Sequence, residues 1–329
     1  MKEHDIRPKE LLARYLELSA LDAERCFSGS DRRDLPCVAC GGTQKTKQFE
    51  KNGFSYARCN NCGTVYQVPR PTLEAFEEFY RDSESSRFWA EVFFPAVAEI
   101  RREKIFQPRV KGIAELCTGV DLEINKIVDI GAGYGIFLQE WLKQYPESEA
   151  VAVEPSKSLA EECRSKGLEV IETIAEKAVG LDEAADLVVC FEVLEHVDDP
   201  LSFVQNLNRM VRPGGYLFIS TLCIDGFDLQ TLWEKSSQIS PPHHINFLSV
   251  SGFETLFERA GFTEIRVTTP GKLDVNIVKN AILSDSSILE NQRFLQHILS
   301  DEQASHAFQS FLSENRLSSH AWVFGRKPV

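Results

Sequence analysis

With 329 residues, 43% of them hydrophobic and 26% charged, the chain is long enough for one large and one small domain. Its 19 glycines and 14 prolines carry no collagen-like or low-complexity bias, so whole-chain disorder and fibre are excluded. Lys and Arg total 36 against 49 Asp and Glu, and the net charge of −13 opposes unassisted attraction to nucleic acid or anionic lipid. That charge is divided unevenly: residues 1–111 hold 19 basic and 17 acidic side chains, leaving 17 and 32 for residues 112–329. A boundary near 111 is therefore expected. No window approaches the ~18 consecutive apolar residues of a membrane span, and the Met1-Lys2-Glu3-His4-Asp5 start lacks an apolar signal core. The expectation is a soluble, cytoplasmic chain without membrane contact.

In chain order, Pro8 opens a run with Leu11, Leu12, Tyr15, Leu16 and Leu18 at helical spacing, an amphipathic helix over 8–27 within an N-terminal segment 1–30. Its stripe docks on its own chain or serves a homodimer contact. Residues 31–71 then turn to short pieces punctuated by Gly and Asn. Two Cys-x-x-Cys pairs, Cys37/Cys40 and Cys59/Cys62, lie 18 residues apart and each is followed by Gly, the spacing of a structural zinc site closed by four thiolates. The knuckles display Val38, Ala39, Asn60 and Asn61 rather than a basic stripe, which argues against nucleic acid. The other five of nine cysteines are scattered singly. Thr72, after Pro69-Arg70-Pro71, is placed to cap a helix over 73–81, and an aromatic-rich helix follows over 87–106. Residues 72–111 read as a helical cap or linker.

From Lys126 onward apolar strands alternate with helices. Strands are expected at 126–130, 150–153, 168–171, 187–191 and 216–221, with helices at 136–145, 158–166 and 200–211 between them. Unbroken apolar strands separated by helices signal a parallel sheet covered on both faces, so the fold class is α/β. A helix over 251–260, an alternating strand over 264–269, a polar helical stretch over 280–316 and a last strand at 321–325 complete domain 112–329.

Three motifs carry chemistry. Asp129-Ile130-Gly131-Ala132-Gly133-Tyr134-Gly135 ends the first strand and opens a helix, a turn against which a ligand can lie. Its spacing is G-x-G-x-G rather than the G-x-G-x-x-G of dinucleotide enzymes. Glu154 ends the next strand, where a carboxylate can hold the two hydroxyls of a ribose. Phe191-Glu192-Val193-Leu194-Glu195-His196-Val197-Asp198-Asp199-Pro200 follows the fourth strand, and Val211-Arg212-Pro213-Gly214-Gly215 precedes the fifth.

In this order the motifs resemble the class I S-adenosylmethionine-dependent methyltransferases over residues 126–270 and 321–327, and the cysteine segment running into Val65-Tyr66-Gln67-Val68-Pro69-Arg70-Pro71-Thr72 is similar to a subgroup with an N-terminal zinc ribbon. The resemblance implies a Rossmann-like seven-stranded sheet whose last two strands form its final pair, with the helical insertion ahead of the last strand. It implies S-adenosylmethionine and a structural zinc. Asp129, Gly131, Gly133 and Gly135 would face the methionine part of the cofactor, Glu154 the ribose, Ile174, Ala175 and Glu176 the adenine, and Phe191 and Glu192 the reacting centre. His196 would shape a turn rather than do chemistry.

Methyl transfer is a direct displacement, leaving the protein to orient the acceptor, exclude water and remove a proton. His244, followed by Phe247 three positions on, matches a histidine and aromatic common in the resembling enzymes, and His243 stands beside it; either suits a general base. Tyr80, Arg101 and Arg102 are candidates to grip an anionic acceptor. The expected reaction is O-, N- or C-methylation of a small molecule, with a sugar or nucleotide sugar implied by the resemblance alone. The prolines at 241 and 242, where sugar C-methyltransferases carry Tyr and Glu, keep O- and N-methylation open. An RNA methyltransferase and a non-catalytic cofactor-binding scaffold are the alternatives.

Overall fold

Near-continuous runs of β-branched and other apolar residues form the inner strands of one sheet. In Lys126–Ile130 only Lys126 escapes full burial, and Ala185–Phe191 is buried as far as Cys190. The computed structural model describes residues 1–329, and the chain divides into two units, each assembled from separated segments.

One unit comprises residues 98–221, 254–266 and 322–329. Its seven strands run, across the sheet, Thr263–Thr268, His320–Arg326, Val211–Leu222, Ala185–Phe191, Lys126–Ile130, Glu149–Val153 and Glu169–Ile171. The expected seven-stranded sheet is present, with the last two strands adjacent at one edge. The Lys126–Ile130 strand is central, parallel to both neighbours, with Ile130 beside Val153 on one side and Cys190 on the other. Helices Gln107–Thr118, Ile136–Gln144, Lys157–Ser165 and Pro200–Met210 belong to this unit. Its core gathers Ile113, Phe137, Trp141, Leu187, Phe218 and Phe324. Burying one such aromatic side chain contributes roughly 1.5–3 kcal/mol.

The other unit comprises residues 1–97, 222–253 and 267–321. Helix Lys9–Phe27 buries Tyr15, Leu18, Asp22, Ala23 and Phe27, and the Phe27 ring lies 5.2–5.4 Å from the rings of Phe54, Phe76 and Phe79. Thr72 caps helix Leu73–Asp82 by accepting from the Ala75 amide at 3.4 Å. A four-stranded sheet takes the order Asn246–Phe247, Val65–Gln67, Phe54–Cys59, Lys45–Lys51. The insertion expected over 280–316 consists of helices Asp274–Ser284, Arg293–Ser300 and Glu302–Glu314, packed on a separate core that includes Val278, Leu299 and Leu312. The aromatic helix is interrupted by a π-helical turn at Trp89–Phe93, with a second at Arg102–Phe106; each adds a residue to one turn and so shifts the buried stripe that follows.

Candidate active site and metal centre

The glycine turn leaves the central strand through three left-handed residues, Gly131 (φ 72°), Gly133 (φ 55°) and Gly135 (φ 66°). A side chain at Gly131 would meet Val193 at 2.8 Å and one at Gly135 would meet Leu168 at 2.6 Å, whereas the space beside Gly133 is open. Glu154 holds this turn: its Oε2 accepts from the Gly133 amide at 2.8 Å and its Oε1 from the Ser156 amide at 2.9 Å. Each oxygen retains acceptor capacity beyond these bonds. Burial pushes the Glu154 carboxyl up, and the two amides oppose that shift.

Asp129 ends the central strand 1% exposed, and its Oδ1 has no hydrogen-bond partner. Burial pushes this carboxyl up to about 8, with the Arg109 charge working against the shift and Glu154 adding to it. Glu192 occupies the left-handed region (φ 55°), a conformation that costs a non-glycine residue roughly 1–2 kcal/mol. It is held by Ser220 Oγ at 2.7 Å and by Arg109 Nη2 at 3.1 Å. Arg109 is buried, and its guanidinium lies 4.6 Å from the Phe191 ring centre. Glu195 is buried, pushed up to about 8 by burial and then by Glu192, and is hydrogen-bonded to Thr221 at 2.6 Å.

Ile174 and Glu176 are exposed and Ala175 is buried on a short 3-10 turn. Arg101 is half-buried. Arg102 is engaged by Glu140 at 2.7 Å and Glu99 at 3.2 Å. Arg109, buried on helix Gln107–Thr118 beyond the second π-helical turn, is the residue that sequence reasoning missed. No local signal marks it, since the groups it meets lie far along the chain.

In the other unit the four cysteine sulfurs lie within 4.8 Å of one another, with Cys37–Cys62 and Cys40–Cys59 each at 3.5 Å. Disulfide sulfurs stand about 2 Å apart, whereas a tetrahedral ion with metal–sulfur bonds of about 2.3 Å requires sulfurs about 3.8 Å apart. The donor set and its spacing fit zinc. The Gly42 amide points at Cys40 Sγ from 3.4 Å, a hydrogen bond that stabilises a thiolate.

The same unit holds both histidines. His243 is 4% exposed, with its Nε2 2.9 Å from Ser85 Oγ and its ring 4.9 Å from Phe79 and 5.4 Å from Tyr15. Tyr80, partly exposed, lies 6.2 Å from that ring. His244 is half-buried, with Nδ1 2.5 Å from the Gln238 carbonyl oxygen. Asn246 and Phe247 pair with Tyr66 and Val65 of the cysteine-bearing sheet.

The seven-stranded sheet with its glycine turn and strand-end acid has the Rossmann-like architecture of a class I S-adenosylmethionine-dependent methyltransferase domain. The chain belongs to the methyltransferase domain family, whose model matches residues 88–267. It is 36% identical over 105 residues to a ubiquinone biosynthesis O-methyltransferase of Aliivibrio fischeri, a match covering 30% of this chain and 44% of that protein. The mitochondrial protein of the same name from Dictyostelium discoideum is 32% identical over 117 residues, covering 31% and 36%. The chain thus spans less than half the length of these curated relatives. Among solved structures, the plantazolicin methyltransferase BpumL superposes with a TM-score of 0.51 at 14% identity, covering 77% of this chain and 94% of that one, a likeness of fold.

Proposed function

We propose that the protein transfers the methyl group of S-adenosylmethionine to a hydroxyl of a small molecule. The observation that carries this reading is the buried Asp129 oxygen without a partner, next to a glycine turn already held open by Glu154. A buried carboxyl oxygen lacking a partner is costly, and a ligand's ammonium group would pair with it and draw the carboxyl to its charged form. Glu154 would hold the ribose hydroxyls, with Ile174, Ala175 and Glu176 toward the adenine and Phe191 and Glu192 toward the reacting centre. When bound, the cofactor supplies an activated methyl group on a sulfonium. A bound cation would draw the clustered carboxyl groups of Asp129, Glu154, Glu192 and Glu195 toward their charged forms, and Arg109 would offset part of the repulsion that follows.

Acceptor deprotonation falls to the histidine segment, with His244 or His243 as base. Hydroxyl methylation is supported by the names of the relatives, and a sugar or nucleotide-sugar acceptor by the sequence resemblance. The four cysteines would hold a structural zinc, leaving no open coordination position for chemistry. The test is mass spectrometry of candidate phenols, sugars and nucleotide sugars incubated with methyl-labelled S-adenosylmethionine. Label on a hydroxyl is expected. Failure of the protein to bind the cofactor by calorimetry would overturn the reading and favour a scaffold role.

A further inference from the structure

The two adjacent histidines are wired differently, and the wiring assigns their protons. Asp22, 2% exposed on helix Lys9–Phe27, accepts from the Ser85 amide at 2.8 Å and from Ser85 Oγ at 2.6 Å. It also receives the Glu84 amide at 3.3 Å and an Arg25 guanidinium nitrogen at 2.6 Å. Burial works against the charge on Asp22, but these bonds outweigh it and hold the carboxyl below its ordinary range. An ionised carboxylate only accepts hydrogen bonds. The single Ser85 hydroxyl proton is therefore committed to Asp22, because otherwise lone pairs would face each other across 2.6 Å. Ser85 Oγ then meets His243 Nε2 as an acceptor, so that nitrogen carries the proton. The accepting nitrogen of a neutral His243 is Nδ1.

For His244 the result is the opposite. Its Nδ1 faces the Gln238 carbonyl oxygen, which only accepts, so Nδ1 carries a proton and the lone pair of the neutral ring is on Nε2. The backbone ties the two rings together: the amides of His243 and His244 donate to the Ser240 carbonyl at 3.0 and 3.1 Å, and Tyr56 Oη donates to the His244 carbonyl at 2.7 Å.

We propose that the histidines divide the work, with His244 Nε2 as the proton-accepting nitrogen and Asp22, Ser85 and His243 as positioning residues that fix the segment presenting it. This rests on the methyl-transfer reading for the base role. The tautomers themselves do not depend on that reading. His243 is suited to positioning because its ring is enclosed by Tyr15 and Phe79 and its proton points inward to Ser85. His244, half-buried, keeps its basic nitrogen opposite the one that anchors it.

The experiment is a two-bond 1H–15N correlation spectrum of the full chain carrying 15N-labelled histidine, with a parallel calorimetric titration of S-adenosylmethionine. His243 is expected as the Nε2–H tautomer and His244 as Nδ1–H. Ser85→Ala should convert His243 to a mixture of tautomers, and Ser85→Thr, which keeps the hydroxyl, should restore the single form. His243 found as Nδ1–H, or His244 as Nε2–H, overturns the proposal in the unsubstituted protein, whether or not the variants fold. A His243 tautomer unaffected by loss of the Ser85 hydroxyl overturns the relay. Correct tautomers without cofactor binding would sink the methyl-transfer reading and with it the base role of His244, and would leave the relay standing.

Discussion

The glycine turn and the histidine segment differ in how their backbones are tied and in what they leave buried. Around the histidines many partners are supplied from within: Arg70 Nη2 donates to Asn246 Oδ1 at 2.6 Å, the Gln67 backbone amide to the Ile245 carbonyl at 2.9 Å, and Ser249 Oγ to the Cys62 carbonyl, while Ser240 Oγ and the Gln67 side-chain amide are left without one. Around the glycine turn the pairing is incomplete, with a buried Asp129 oxygen without a partner, a strained Glu192 backbone and open space beside Gly133. Buried polar groups are normally paired, and exceptions concentrate where a ligand completes them. The histidine segment is cross-tied by its own chain, and the glycine turn is the region where a buried carboxyl, a strained backbone and open space meet.

If the histidine segment is a scaffold, removing its anchor has the largest effect. If the four cysteines hold zinc as proposed, chelation, or Cys37→Ser with Cys62→Ser, should remove about one zinc per chain by elemental analysis. It should also lower Tm by about 10 °C or more, since structural zinc contributes several kcal/mol of folding free energy. An unchanged Tm would show that the pairing of Asn246 and Phe247 with Tyr66 and Val65 needs no metal.

At the open site, Glu154→Gln replaces a charged acceptor by a neutral amide. Affinity for S-adenosylmethionine should fall about 10- to 100-fold by calorimetry, the scale of a charge-assisted hydrogen bond. Equal affinity would remove Glu154 from the site. Gly135→Ala tests the turn itself: a left-handed alanine with its Cβ 2.6 Å from Leu168 should cost about 1–3 kcal/mol, read from urea unfolding.

The protonation of Asp129 sharpens the comparison further. Asp129 and Glu195 are both pushed up to about 8 by burial, far above the value of about 4 for an unfolded carboxyl. Each stays protonated in the folded protein where the unfolded chain is ionised, so their contribution to stability is full below about pH 4 and is lost as pH rises to about 8. Asp129→Asn should therefore raise the Tm of the cofactor-free protein at about pH 9 more than at about pH 5, while weakening cofactor binding. A pH-independent difference would show that Asp129 ionises without penalty. The smallest effect is expected from Arg102→Ala, which removes one of three hydrogen-bonded partners of the buried Glu140 carboxylate and should cost about 1 kcal/mol in thermal unfolding.

Much of this was legible in the chain itself. Zinc-type spacing, the glycine turn, the strand-end Glu154 and the apolar strands each depend on residues close in sequence, where a short stretch of backbone sets the geometry. The seven-stranded sheet with its last two strands side by side was implied by the family resemblance, and the local signals by themselves gave only alternating strands and helices. Arg109 was not legible, because its partners Glu192 and Phe191 lie more than eighty positions away.

Residue types and their spacing were enough to reveal four thiols set for a metal, a carboxylate at the end of each of two strands, and two histidines side by side. They could not reveal which histidine nitrogen holds a proton. That depends on Asp22, Ser85 and Gln238, brought together from distant segments by burial of Phe27, Phe79 and Phe54 in one core. Nor could they reveal that Asp129 would be left without a partner. Protonation and pairing are decided by solvent exclusion and by what stands within about 3 Å, and only the folded chain supplies both.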